Sequence, residues 1–328
     1  MQLPAGHTGG RGAFRRQRSG GPAILAKRAG AACGICPRQC QTPRAAYCGG
    51  SAPLRVAAAS IHRGEEPPVT GRGGSGTVFV SGCGLRCAFC QNAQISRGGM
   101  GRSVDSGEFA AICLALQNRG AENINIVTGS HAVPAIAEGL RRARGDGLSI
   151  PCLWNSSSYE KTETLEALRG LIDMFLPDLK TLDEGIAAKF FNAPDYPLYA
   201  EKAILKMMDM AQDKRKVIIR HLVLPGFLES TREALRWFAG NARGRASLSL
   251  MTQYTPPRSP LAAASPARFL DREEYDTALA WIEEFGIEDG FYQELETGDE
   301  WLPDFERQNP FSSELSVPVW HWKHGFVA

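Results

Sequence analysis

The stretch that most constrains this chain reads TVFVSGCGLRCAFCQN, residues 77–92. A short apolar run with the character of a buried strand breaks into a loop carrying Cys83, Cys87 and Cys90 in the spacing C-x3-C-x2-C. Gly82 and Gly84 permit the tight turn such a loop needs. Three thiolates this close in sequence suit an iron–sulfur cluster or zinc. A structural zinc site takes four ligands, whereas three thiolates on a cubane cluster leave one corner open to a small molecule. Phe89, just before the third cysteine, sharpens the pattern.

Around this loop the chain reads as an ordinary globular protein. It has 328 residues, a formal net charge of +2 and no apolar run long enough to span a bilayer. No membrane association is expected. No acidic residue precedes Glu65, whereas arginines and lysines are frequent before it. With Phe14 the one aromatic residue before Tyr47, this basic start is read as a solvated arm, and no nucleic-acid contact is expected. The nine cysteines are odd in number and follow no secretion signal, which argues for metal or redox use in the cytoplasm over a disulfide framework.

From residue 77 short apolar strands alternate with helical stretches. The strands are read at 77–80, 123–127, 150–154, 171–176, 216–224 and 246–251, with a further short one near 290. Such alternation means βα units and a parallel sheet. The expected fold is α/β, a partial (β/α)6 TIM-like barrel with a small N-terminal cysteine-rich module. The expected organisation is a disordered basic segment over 1–22, the cysteine module and linker over 23–70, the barrel over 71–311 and a tail over 312–328. Chemistry in such folds gathers at the C-terminal ends of the strands, where the polar clusters of this sequence fall.

The C-x3-C-x-aromatic-C loop resembles that of the radical S-adenosylmethionine (SAM) superfamily. The segments GICPRQC, HRGEEPP, NINIVTGSHAVP, WNSSSYE, LPDLK, IIRHLVLPG, MTQYTP and WLPDF look like those of the branch named for pyruvate formate-lyase activating enzymes. The resemblance implies a 4Fe-4S cluster on Cys83, Cys87 and Cys90. SAM chelates its free iron and is cleaved reductively to a 5′-deoxyadenosyl radical, which abstracts hydrogen from the substrate.

By the same resemblance Phe89, Ser130, His131, Asn155, Ser156, Asp178, Arg220 and Gln253 are candidate cofactor contacts. Ser130 and His131 stand where activating enzymes carry Gly-Gly-Glu, so a carboxylate for the SAM amine is missing there. Asp178 is expected to hold a cation, orient substrate or pair with Lys180. Arg220, alone among aliphatic residues, suits a carboxylate. The implied partners are an electron donor such as flavodoxin or ferredoxin and, as protein substrate, a glycyl-radical enzyme. Another peptide or a small metabolite is the alternative substrate, and a non-catalytic metal-binding module is the alternative of another class.

Cys33, Cys36, Cys40 and Cys48 form a second group, C-x2-C-x3-C-x7-C. Four thiolates on a short segment suit a second iron–sulfur cluster or zinc. Cys113 and Cys152 fall in a helical and a strand pattern and are expected to be buried and inert.

Overall fold

The computed structural model describes residues 33–40, 47–50, 53–211, 213–257, 265–299 and 301–327. The basic segment expected over 1–22 lies outside them. In chain order the strands begin with β1 (Arg55–His62), β2 (Ser75–Val80), β3 (Arg102–Ser103), β4 (Ile124–Val127), β5 (Cys152–Ser156) and β6 (Met174–Pro177). They continue with β7 (Ile218–Leu222), β8 (Ser247–Met251), β9 (Gly290–Tyr292), β10 (Ser316–His321) and β11 (Gly325–Phe326). The helices are α1 (Pro67–Thr70), α2 (Ala93–Ser96), α3 (Ser106–Asn118), α4 (Val133–Gly145), α5 (Thr162–Glu166), α6 (Glu184–Phe191), α7 (Tyr196–Ala211), α8 (Leu228–Asn241) and α9 (Arg272–Glu284).

One sheet runs β11-β10-β1-β2-β4-β5-β6 and a second runs β7-β8-β9. From β2 onward the neighbours in both are parallel. Isolated parallel bridges Phe175↔Val217 and Asp178↔Arg220 join β6 to β7. The parallel strands therefore follow one another as an open α/β barrel, the architecture expected from the alternation. Their residues read as nearly continuous apolar runs because helices cover one side and the barrel interior the other. β2 is buried along its whole length.

Local chemistry sets where the helices start. Asp105 caps α3 by accepting the Glu108 amide, and Asp183 caps α6 by accepting that of Ile186. Asp271 and Glu274 form a capping box at α9. Ile112, Leu116, Ile136 and Leu140 of α3 and α4 pack with Ile124, Ile126 and Trp154 of the strands in one core. A second core gathers α8 and α9 against β7 and β8 through Leu235, Phe238, Ala278, Ile219 and Leu250.

The sequence pattern misses β1 and β10. β1 falls in the stretch expected as module and linker, and β10 and β11 fall in the expected tail. Yet β1 lies in mid-sheet, antiparallel to both β2 and β10. Its run of alanines lacks the β-branched residues that announce a strand. β10 contains Pro318, which argues for an edge or a bulge. The register indeed shifts between Ala59 and Ser60, where Ser60 faces Pro318.

Candidate active site

At the C-terminal ends of the parallel strands lies a cavity of about 560 Å³. β2 delivers the loop bearing Cys83, Cys87, Phe89 and Cys90 to its wall. β4 contributes Thr128, β5 Asn155, Ser156 and Ser157, and β6 Asp178 and Lys180. Arg220 comes from β7, Ser249, Met251 and Gln253 from β8, and Trp301 and Phe311 from the segment before β10.

The cysteine loop is held from several sides. The amide of Gly82 donates to the Ile95 carbonyl (2.9 Å) and that of Ala88 to the Phe190 carbonyl (2.8 Å). Gly82 has φ +95°, and a Cβ there would meet the Cys48 carbonyl oxygen at 2.3 Å. No other residue fits that turn. Phe89 packs edge-on against Phe190, Phe191 and Tyr254. Tyr254 itself is buried and donates its hydroxyl to the Pro266 carbonyl (2.9 Å), so it supports Phe89 and does not line the cavity.

The three thiols of this loop are free. Burial pushes Cys87 and Cys90 above the ordinary thiol range, and the neighbouring cysteines push further. Among the described residues no three Cys, His, Asp or Glu side chains close around a single ion as they stand. What the loop presents is three sulfurs outside any disulfide on one cavity wall, a donor set that would hold three irons of a 4Fe-4S cluster. The residues present fit a 4Fe-4S cluster in that sense.

Two ion pairs face this loop. Lys180 Nζ lies 2.6 Å from Asp178 Oδ2. Burial works against its charge, but Asp178 and Cys87 outweigh burial and hold it above the ordinary lysine range. Arg220, 8% exposed, donates from Nε to Glu66 Oε1 (2.8 Å) and from a terminal nitrogen to both Glu65 and Glu66. Burial disfavours the Glu66 carboxylate, yet Arg220 overrides it and holds Glu66 below the ordinary range. The fork expected to receive the SAM carboxylate is thus filled by two carboxylates of the chain itself.

Ser130 and His131 are not on the cavity. His131 is buried and donates from Nε2 to the Ser81 carbonyl (2.9 Å), behind the cysteine loop. Burial pushes it down to about 4, so it is neutral. Ser130 interacts with the buried carboxyl of Glu160, which also accepts from Trp154 Nε1 (2.9 Å). The expectation of SAM contact at these two positions does not match their placement. Both brace the wall from outside. The N-cap position of α4 is held by Ala132.

Phe89, Asn155, Ser156, Asp178, Arg220 and Gln253 do converge on the cavity with the three cysteines. Gln253 accepts from Gln293 Nε2 at its side-chain oxygen (2.9 Å). His221 faces away, as its alternation with Arg220 requires, donating to the Leu179 carbonyl (2.6 Å) and accepting from Thr231 (3.0 Å). Missed as site residues were Glu65, Glu66, Lys180, Thr128, Ser249 and Trp301. Two adjacent glutamates separated by three residues from the run that ends at Ile61 were the available signal for the first pair. Thr128 carries φ 62°, a left-handed conformation costly for a β-branched residue, and nothing in the sequence announces it.

Cys36 lies in the field of Cys33, Cys40 and Cys48, and burial with that field pushes it to about 11. Cys113 and Cys152 sit among aliphatic residues in the main core.

Residues 77–238 match the model of the radical SAM superfamily. The chain is 27% identical over 235 residues to the uncharacterized protein MJ0674 of Methanocaldococcus jannaschii, an alignment covering 70% of this chain and 67% of that protein. Among solved structures it is similar in fold to a radical SAM methyltransferase from Sphaerobacter thermophilus, with TM-score 0.50 and 16% identity over 67% of this chain and 66% of that one. SuiB of Streptococcus suis, bound to S-adenosylmethionine, aligns with TM-score 0.49 and 16% identity over 64% of this chain. The match spans about half of the SuiB chain, 48%.

Proposed function

From the premise that residues 77–238 are a radical SAM superfamily domain, we propose that this protein is a radical SAM enzyme working in the cavity at the mouth of its barrel. The observation that carries the reading is the meeting of Cys83, Cys87 and Cys90 with the polar ends of β4 to β8 on one cavity. The cluster and SAM, when bound, supply a one-electron cleavage of the sulfonium to methionine and a 5′-deoxyadenosyl radical.

The chain's own residues hold, orient and shield. Cys83, Cys87 and Cys90 are the cluster's protein ligands. The charged side chains on the cavity are Glu65, Glu66 and Asp178 against Lys180 and Arg220, an excess of one negative charge that favours a sulfonium cation. Asn155, Ser156 and Gln253 offer amide and hydroxyl groups to ribose, amine or adenine. Phe89, Trp301 and Phe311 give the cavity apolar wall that would help keep water from the reacting groups.

For the substrate, the sequence resemblance supports a glycyl-radical enzyme, whose backbone glycine would lose a hydrogen atom. A second reading is a different peptide or small molecule. It is favoured by the absence of a carboxylate where activating enzymes carry Gly-Gly-Glu, the place here held by Ser130 and His131. Incubation with extract of the source cells, followed by electron paramagnetic resonance, separates the two. A new protein-bound glycyl radical supports the activase, and SAM cleavage without one supports the second reading.

A further inference from the structure

The cavity has a second end, away from the cysteine loop. β1 runs antiparallel to β2, with Val56 opposite Val80 and His62 opposite Ser75. The cysteine loop follows Val80, whereas Glu65 and Glu66 follow His62 and so leave from the other end of β2. The six residues of β2 put roughly 17 Å between those ends. Glu65, Glu66, His62 and Trp301 nevertheless line the same cavity as the three cysteines. They form its floor.

The floor carries a charge that the chain does not neutralise. Glu65 and Glu66 share Arg220, so two carboxylates meet one guanidinium and one negative charge is left over. Asp178 and Lys180 cancel each other. Burial pushes His62 below its ordinary range, which keeps it uncharged at neutral pH. Asn125 of β4, fully buried, donates from Nδ2 to Glu65 Oε1 (3.0 Å), and its Oδ1 has no partner among the described residues. Acceptors outnumber donors here, and a charge removed from water calls for a counter-charge.

Aromatic rings stand beside these carboxylates. Gly64 is packed between two of them, since a Cβ there would meet His62 Cε1 at 2.9 Å and Trp301 Cζ3 at 3.4 Å. The His62 ring packs on Phe311 with centroids 4.6 Å apart, and Phe311 packs on Phe79 at 5.5 Å. Carboxylates next to ring faces favour an organic cation over a neutral or anionic group.

We propose that this floor binds a protonated amine of the substrate and so orients the rest of that molecule toward the cluster end. This rests on the radical SAM reading and gives it a substrate class, an alkylammonium compound. The amine belongs either to a small molecule or to a lysine side chain of a peptide, and both present the same group to Glu65.

The test uses wild-type protein holding its cluster, anaerobic, saturated with SAM and without reductant. Calorimetry follows n-butylamine, n-butanol and a capped Gly-Lys-Gly peptide. The amine or the peptide is expected to bind saturably, the tighter of the two naming the source, while n-butanol does not bind at the same concentration. Glu65→Gln, which leaves the floor neutral, should weaken binding at least about tenfold. Trp301→Leu should weaken it about threefold. Glu296→Gln, exposed and off the cavity, should bind as wild type does. The proposal is overturned if neither amine binds, if amine and alcohol bind alike, or if Glu65→Gln keeps wild-type affinity. It is also overturned if the amine binds only without SAM, because the floor then belongs to SAM. If Glu65→Gln does not retain its iron, Trp301→Leu decides, and unchanged affinity there overturns the proposal. Dithionite added afterwards to the same preparations separates the two readings. 5′-Deoxyadenosine without a preference for amines counts against this inference alone, and a preference for amines without any product counts against the proposed function alone.

Discussion

Arg220 on β7 and Glu66 after β1 meet across 154 residues of chain, Nε to Oε1 at 2.8 Å, on the wall of the cavity. Glu65 shares the same guanidinium. One buried cation therefore serves two carboxylates whose side chains are 13% and 9% exposed, and its removal leaves both charges uncompensated. Arg220→Met is expected to cost about 3–5 kcal/mol, measured by anaerobic urea unfolding. A triple variant that also carries Glu65→Gln and Glu66→Gln should recover most of that loss. An Arg220→Met protein as stable as wild type contradicts this account of the pair.

The acid side of the stability profile should carry the mark of two histidines. His131 and His221 are buried, and burial pushes each from 6.5 down to about 4. The unfolded chain thus binds protons that the folded one refuses. The stabilisation is complete above pH ~6.5 and is lost as pH falls toward about 4, on the order of 3 kcal/mol per histidine. Glu66, held down in the fold by Arg220, adds a loss in the same direction below its unfolded value. Replacing both histidines with glutamine should flatten the profile between pH 6.5 and 4. Unfolding midpoints of the two proteins across that range provide the comparison, and parallel curves would contradict the assignment.

Two glycines of the cysteine loop should respond oppositely to alanine. At Gly82 the φ is +95° and a Cβ would strike the Cys48 carbonyl at 2.3 Å, so Gly82→Ala is expected to cost about 2 kcal/mol or more and to lower iron retention. At Gly84 the nearest atom to a Cβ is Tyr159 Cδ1 at 3.7 Å, so Gly84→Ala should keep wild-type iron. Iron content per chain after desalting reads both outcomes.

Asp178 and Lys180 make a third contrast. Asp178→Asn removes the partner of a largely buried ammonium and is expected to lower SAM cleavage about tenfold or more with iron content unchanged. Loss of iron in parallel with activity would place the pair in cluster retention instead.

Much of this architecture is legible in the residues. The parallel strands from β2 to β8 fall where apolar runs alternate with helical stretches, because strands covered on both faces must be continuously apolar. The cavity gathers Cys83, Asn155, Asp178 and Gln253 because the fold delivers every strand's C-terminal end to one mouth. β1 was not legible, since an alanine run fits helix or strand. Arg220 shows a further limit. Its isolation among aliphatic residues reveals that it needs a partner, but not that Glu65 and Glu66, some 150 residues away, supply it. His131 was drawn into the site by its sequence position, whereas the turn at Thr128 to Gly129 carries it behind the loop.

The most direct test of the central claim is anaerobic reconstitution with iron and sulfide, reduction with dithionite and quantification of 5′-deoxyadenosine from SAM. The account predicts product from the wild type and none above background from Cys87→Ala. Product formed equally by both proteins, or none from a wild type whose cluster is intact and reduced in the presence of extract supplying substrate, would contradict it.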